Sequence, residues 1–212
     1  RGLERRDERW HVTLADGAQL EAAQLFLCPG GKSYARTGTS GDGYAWLSAL
    51  GLPLVAPVPA LVPLASPAAW VHELAGIALQ EVVVRLRDPA GRVLGSRARP
   101  VVFTHRGISG PGAMDLAEPV ARAEATKSEG HMLLLDLVPA QTREELRALL
   151  LEAGAVAGAP LLAAVLASEL ALPRRLVLRA LAQAGVPEGV RVNELARPRR
   201  HELVETLKAL AV

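Results

Sequence analysis

The densest group of residues that could do chemistry is a glycine-rich loop, "GGKSYARTGTSGDGYAW", at positions 30–46. It follows a short apolar run and leads into a pattern typical of a helix. Glycine lets a backbone approach a flat ring closely because it has no Cβ. The amides at a helix start can face an anion or an electron-rich edge. The loop is therefore a candidate binding site; the alternative is a surface loop whose glycines only make turns.

Two familiar phosphate-binding motifs do not fit this loop. A P-loop that ends in Gly31-Lys32-Ser33 needs a glycine five residues before Gly31, and that position holds Phe26. A dinucleotide fingerprint needs G-x-G-x-x-G directly after a first strand, and the spacing beyond Gly43 is wrong for it. The loop is thus not a pyrophosphate cradle. The remaining interpretation is that the loop makes a second contact to a cofactor, away from its pyrophosphate.

A second block, "FTHRGISGPGAMDLA" at positions 103–117, joins a strand-like start to a glycine-rich turn. His105 and Ser109 are candidate catalytic side chains here, as polar groups that could face a substrate beside Arg106 and the Gly110 backbone. The alternative is a structural turn in which Ser109 bonds to nearby backbone. The sequence assigns no residue as catalytic.

The single cysteine and the scattered histidines limit other chemistry. Cys28 cannot form an intramolecular disulfide, which suits a reducing compartment, and its apolar neighbours predict that it is buried. His72, His131 and His201 have no ligand spacing, so we expect no metal site.

The two glycine-rich blocks together resemble one family. "PGGKSYARTGTSGDGYAWLSALGLPLVAPVPALVPL" is similar to the YhiN-like flavoproteins, also described as BaiN/RdsA-type NAD(P)/FAD-dependent oxidoreductases or aminoacetone-oxidase-family FAD-binding enzymes. "FTHRGISGPGAMDLA" resembles a second motif of that family, in the right order and at a plausible distance. The chain departs from the family pattern at Cys28-Pro29, where Ala-Thr is usual, and at Ala35, where Pro is usual.

This resemblance implies an FAD-dependent oxidoreductase of a bacterial cytoplasm, with NAD(P)H as a possible reductant and a small molecule as substrate. The cofactor-binding positions that it implies are Gly30, Gly31, Lys32, Ser33, Tyr34, Thr37, Gly38, Thr39, Gly41, Asp42 and Gly43. Family members also carry a G-x-G-x-x-G motif and a glycine-rich return to the flavin. Neither occurs here, which implies an internal fragment that is inactive alone and has the rest of the flavoprotein as its partner. The alternative is a non-catalytic β/helical binding or interaction module.

Composition excludes several other classes. Half of the 212 residues are hydrophobic and the formal net charge is only +2, without a basic block, so we expect a folded protein that does not bind nucleic acid. The longest apolar stretch, at positions 160–172, is broken by Ser168 and Glu169. No run reaches transmembrane length, so we expect no membrane partner.

The elements that must position these residues form an α+β pattern. A β-meander with a turn at Asp16-Gly17 precedes the loop, and a helix that Asp42 caps or favours and Gly51 ends follows it. Prolines then separate this part from later strands and from helices that begin at Thr142, with Glu145 completing a capping box.

The resemblance divides this pattern into three segments. Residues 1–57 are a partial, Rossmann-like FAD-binding domain, and 58–206 are an inserted domain with a β-barrel-like part and a helical part. Residues 207–212 begin the return to the FAD-binding domain.

Overall fold

The computed structural model describes residues 2–125 and 130–212. The chain divides into two units, Arg1–Pro57 and Val58–Val212. Both units mix helices with antiparallel strands, which agrees with the predicted mixture of α and β structure. The assignment of the first unit to an FAD-binding domain stays a prediction.

The first unit opens with a three-stranded antiparallel meander. Its strands are β1 (Gly2–Arg6), β2 (Arg9–Thr13) and β3 (Gln19–Ala22). The predicted turn between β2 and β3 is present. Gly17 has a φ of +91°, and Asp16 Oδ1 accepts a hydrogen bond from the Ala18 amide at 3.0 Å. Glycine tolerates this left-handed conformation without a steric cost, so the turn closes the hairpin.

The sequence had predicted that the apolar run "LFLC" continues β3, and this prediction is wrong. Residues 24–31 have no regular secondary structure. Phe26 is 85% exposed, and Cys28 is exposed rather than buried. Among the described residues no strand pairs with this run, so no ladder hydrogen bonds hold it in a sheet.

Helix α1 (Asp42–Ala49) is the last helix or strand of the first unit. Gly51 follows it with a φ of +75° and donates its amide to the Ser48 carbonyl at 3.0 Å. The Leu52 amide donates to the Leu47 carbonyl at 3.1 Å. This arrangement satisfies carbonyls that the helix leaves free, and it confirms that Gly51 marks the C-terminal end.

The second unit begins with two four-stranded antiparallel sheets. One has the order β4-β9-β8-β5, and the other has the order β11-β10-β6-β7. The strands are β4 (Leu64–Ala65), β5 (Ala78–Leu79), β6 (Val83–Arg87), β7 (Val93–Ala98), β8 (Val101–Thr104), β9 (Gly107–Ser109), β10 (Met132–Asp136) and β11 (Leu210–Ala211). The predicted strand regions around 79–88, 92–105 and 131–139 are confirmed.

Period-two alternation sets which strand residues enter the core. In β6, Val84 and Leu86 are buried, and they lie opposite Leu135 and Leu133 of β10. Arg85 and Arg87 take the intervening positions and therefore lie on the other face of the sheet. Both sheets contribute to one hydrophobic cluster, which includes Phe103 of β8.

Helices cover this core and complete the second unit. They are α2 (Ala69–Glu73), α3 (Pro111–Met114), α4 (Ala117–Ala125), α5 (Arg143–Ala155), α6 (Leu162–Glu169), α7 (Arg174–Gln183) and α8 (Arg197–Lys208). The predicted capping box of α5 is confirmed, because the Glu145 amide donates to Thr142 Oγ1 and the Thr142 amide donates to Glu145 Oε2. The apolar stretch that includes Ser168 forms α6.

The chain's last residues belong to the second unit. The sequence had predicted that 207–212 begin a return to the FAD-binding domain. Instead, Lys208 ends α8 and Leu210–Ala211 pairs with β10. Leu207 and Leu210 are fully buried in the core of this unit, and this burial holds the segment in place.

Candidate functional site

The glycine-rich loop of the first unit folds on itself around Tyr34. The Tyr34 carbonyl accepts hydrogen bonds from the amides of Thr37 at 3.0 Å and Thr39 at 3.3 Å, and from Thr37 Oγ1 at 2.9 Å. Thr39 Oγ1 in turn accepts the Tyr34 amide at 2.8 Å. A short 3₁₀-helix spans Ala35–Thr37. The two threonines therefore fix the loop locally, and neither hydroxyl is free of protein contacts.

Three of the loop's glycines permit close packing inside the loop. A Cβ on Gly43 would overlap the ring of Pro29, and one on Gly41 would lie 3.1 Å from Lys32 Cδ. A Cβ on Gly30 would lie 3.1 Å from Thr39 Cγ2. These glycines bring segment 29–32 against the start of α1, so their first role is structural.

Gly31 and Gly38 have open surroundings instead. A Cβ on Gly31 would meet only Tyr44 Oη, at 3.9 Å, and one on Gly38 would meet nothing within 4 Å. Gly38 has a φ of +95°, which already favours glycine, whereas the φ of Gly31 lies outside that region. Neither the packing nor the backbone conformation of the loop therefore requires glycine at position 31.

The polar candidates of the loop lie on its surface. Lys32, Ser33 and Asp42 are exposed, and Tyr34 is 72% exposed. The structure brings these residues together in one short segment, but it shows no ion pair between Lys32 and Asp42 among the described residues. They form an open surface that a ligand could contact from solvent.

Asp42 does not cap α1 with its side chain, which corrects one of the two predicted roles. Gly41 is the N-cap residue, with a φ of +88°, and Asp42 is the first helical residue without a cap hydrogen bond. Its carboxylate still lies in the first turn, where negative charge interacts favourably with the helix dipole. That charge also reduces the attraction of this helix start for an anionic ligand.

The second candidate block forms a hairpin in the second unit. His105 and Arg106 are the exposed turn between β8 and β9, and the Arg106 carbonyl accepts the Ser66 amide at 3.0 Å. Ser109 lies opposite Val102 at the far end of the hairpin, and its hydroxyl contacts Met114 Sδ at 3.7 Å. The candidates His105 and Ser109 therefore sit at opposite ends of β9 rather than side by side.

Glycines in this block allow backbones to cross. A Cβ on Gly107 would overlap the Leu64 carbonyl oxygen, and one on Gly110 would lie 2.9 Å from the Pro100 carbonyl oxygen. A Cβ on Gly112 would come within 3.0 Å of the Val101 side chain. The glycines of this motif are thus explained by strand packing, without a ligand.

Sequence reasoning missed a charged cluster on the outer face of the β6–β10 sheet. Asp136, which is 2% exposed, contacts Lys208 Nζ at 2.9 Å and Arg85 at 3.4 Å. Three distant segments meet here, and no local motif marks them. The alternation of arginines with apolar residues in β6 is the one sequence pattern that indicates part of this cluster, because it places Arg85 and Arg87 on the same face of the strand.

Across 2–125 and 130–212, no group of three or more His, Cys, Asp and Glu side chains could hold a metal ion. In the same ranges, every helix is too short or too polar to cross a membrane.

Comparison with known families identifies the second unit. The family model described as the HI0933-like protein barrel and H2TH domain matches residues 58–212. The chain belongs to the HI0933-like family. This is a family of FAD-dependent oxidoreductases of the YhiN/HI0933 type, so the coarse prediction from the two glycine-rich motifs is confirmed. None of the curated proteins compared with the chain matches it.

The HI0933-like match also agrees with the order of elements. Its description names a barrel and then an H2TH domain, and the second unit runs from two antiparallel sheets into helices α5 to α8. The matched residues coincide with that unit. The glycine-rich loop lies outside the match, so its assignment to FAD depends on the sequence resemblance.

Proposed function

We propose that the chain is part of an FAD-dependent oxidoreductase, with the loop around Gly31 contacting the flavin and residues 58–206 covering the active site. The observation that carries this proposal is the open backbone at Gly31, in a chain whose second unit belongs to a flavoprotein family. The resemblance supports a BaiN/RdsA-type or aminoacetone-oxidase-type enzyme, with NAD(P)H as reductant and a small-molecule substrate.

The chemistry of the loop supports a ring contact rather than a phosphate contact. Backbone at Gly31 and Gly38 can lie flat against a ring, because no Cβ projects from either residue. The carboxylate of Asp42 at the start of α1 opposes the approach of a phosphate. The hydroxyls of Thr37 and Thr39 already form hydrogen bonds with the Tyr34 backbone within the loop.

When bound, the flavin supplies the redox chemistry, and the protein orients it and excludes water. In this proposal, Lys32, Ser33 and Tyr34 would contact the flavin or the substrate from the exposed side of the loop. Gly30, Gly41 and Gly43 would act indirectly, because they hold the loop in shape. His105 and Ser109 have no assigned step.

The test is the flavin content of the full-length protein that carries these 212 residues, purified without added cofactor and measured by its absorbance spectrum. Gly31→Val places a branched side chain where the flavin would lie, yet the loop has room for its Cβ. We expect this variant to lose most of its flavin while its circular dichroism spectrum is retained.

Gly189→Val is the matched control, because Gly189 is exposed, a Cβ there would meet nothing within 4 Å, and its φ is not positive. It should keep its flavin. Equal flavin content in the two folded variants would contradict the loop assignment. A full-length protein without flavin would favour a non-catalytic interaction module.

A further inference from the structure

A cleft with a volume of about 520 Å³ lies on the outer face of the β6–β10 sheet. Strand β6, the start of α5 and the end of α8 contribute cationic side chains to its walls, whereas two carboxylates line it. The cations are Arg85, Arg87, Arg143 and Lys208, and the carboxylates are Asp136 and Glu144. Positive charge therefore exceeds negative charge by two in this concave site.

Most of these charges are already paired within the protein. Lys208 Nζ donates to Asp136 Oδ2 at 2.9 Å and to two backbone carbonyls, so its hydrogen-bonding capacity is used. Glu144 accepts Arg147 at 2.9 Å, outside the set that lines the cleft. Asp136 therefore neutralises Lys208, and Glu144 is held by another arginine.

Arg87 differs from the other cations of the cleft. Its Nε is buried and, across the described residues, has neither a hydrogen-bond acceptor nor a carboxylate partner. A buried N–H without an acceptor is costly, and native structures seldom leave one unsatisfied. Arg85 extends from the same face two residues earlier, and the one carboxylate that it contacts among the described residues, Asp136, is shared with Lys208. Arg87 lines the cleft, and among the described residues no hydrogen bond or ion pair engages its terminal nitrogens, so a negatively charged oxygen in the cleft would give this guanidinium a partner.

We propose that this cleft binds the phosphate group of a small phosphorylated ligand, with Arg87 as the principal donor. A guanidinium presents two parallel N–H groups, which match two oxygens of a phosphate. Arg143 also lines the cleft and donates its Nε to Glu205, and among the described residues its terminal nitrogens make no hydrogen bond. Cations on separate elements suit a tetrahedral dianion better than a planar carboxylate. This site does not depend on the proposed flavin contact.

The test titrates the chain with inorganic phosphate, and separately with acetate, at constant ionic strength while amide NMR shifts are recorded. We expect phosphate to shift residues of β6 and β10 and positions 141–144, and acetate to shift them much less. Arg87→Gln should weaken phosphate binding by about tenfold or more, because a charge-assisted hydrogen bond is lost. Arg174→Gln, in an exposed ion pair elsewhere, should bind like the parent.

Arg87→Lys keeps the test valid if the glutamine variant does not fold. It retains the charge but lacks the planar fork, so phosphate affinity should still fall while the NMR spectrum stays that of the folded chain. The proposal is overturned if phosphate shifts no residue of the cleft or if acetate binds equally well. It is also overturned if Arg87→Lys and Arg174→Gln affect phosphate binding to the same extent.

Discussion

Lys208 Nζ lies 2.9 Å from Asp136 Oδ2, and this contact joins the end of α8 to strand β10 in the second unit. Both residues are almost fully buried. The ammonium also donates to the carbonyls of Val138 and Gln141 at 3.0 and 2.8 Å. The helical part and the sheets of the unit are therefore connected by a buried and fully bonded charge pair.

Removal of either charge should destabilise the protein strongly. Asp136→Asn leaves the buried ammonium of Lys208 without its carboxylate, and Lys208→Met leaves the buried carboxylate of Asp136 with the more distant Arg85, so we expect each to lower the free energy of unfolding by about 3–5 kcal/mol. The double variant should cost much less than the sum, as measured by urea denaturation. Arg174→Gln, which breaks an exposed pair, should cost less than about 1 kcal/mol. Additive losses at Asp136 and Lys208 would contradict the coupling.

The capping box of α5 predicts a pH-dependent contribution to stability. The Thr142 backbone amide, followed by its hydroxyl, bonds the Glu145 carboxylate and holds its pKa below the ordinary value. The contribution is thus fully present above the unfolded pKa of Glu145 and is lost as the pH falls through the lower folded pKa. The stability difference between the parent and Glu145→Gln should therefore shrink in acid.

Two substitutions check this box by thermal denaturation at several pH values. Thr142→Ala should cost about 1 kcal/mol at neutral pH, since it removes the N-cap acceptor. Glu152→Gln, on the same helix but outside the box, should show no such dependence on pH. A parent–Glu145→Gln difference that stays constant down to acid pH would refute the role of the carboxylate.

A side chain at Gly43 should destabilise the first unit because it would overlap the ring of Pro29. Gly43→Ala places a Cβ onto the Pro29 ring, and we expect a loss of about 1–3 kcal/mol in the stability of the first unit, typical of overpacking. Pro29→Ala should restore part of that loss in the double variant, and Gly189→Ala should be close to neutral. Hydrogen exchange of α1 amides would measure the effect. No rescue by Pro29→Ala would rule out this contact as the cause.

Ala171 occupies a backbone conformation that suits glycine. It follows α6 with a φ of +50°, where an L-residue costs roughly 1–2 kcal/mol. Ala171→Gly should therefore be neutral or stabilise the chain by up to about 1 kcal/mol, despite the greater entropy of the unfolded chain. Ala182→Gly, on the exposed side of α7, should destabilise by about 1 kcal/mol. Equal losses in the two variants, seen in denaturant unfolding, would argue against strain at Ala171.

FAD should bind weakly to these 212 residues alone. The sequence contains no G-x-G-x-x-G motif to cradle the pyrophosphate, and the loop supplies only a ring contact in our proposal. Titration calorimetry should give weak or undetectable binding, whereas the full-length protein should retain flavin through purification. Submicromolar affinity for the chain alone would overturn this division of the binding site.

Local sequence patterns determined much of the fold. The Asp16-Gly17 turn, the capping box at Thr142 and Glu145, and the helix end at Gly51 each depend on residues a few positions apart, so their types alone specify the geometry. Alternation in β6 likewise fixed which residues face the core. The two glycine-rich motifs were distinctive enough to indicate the flavoprotein family.

Contacts between distant segments decided the rest. "LFLC" is apolar enough for a strand, but among the described residues no neighbouring strand pairs with it. Residues 207–212 join the second unit because Leu207 and Leu210 find their burial there. The Asp136–Lys208 pair and the cleft beside Arg87 arise where β6, β10, α5 and α8 meet. Packing sets such meetings, and no short-range pattern of residues encodes them.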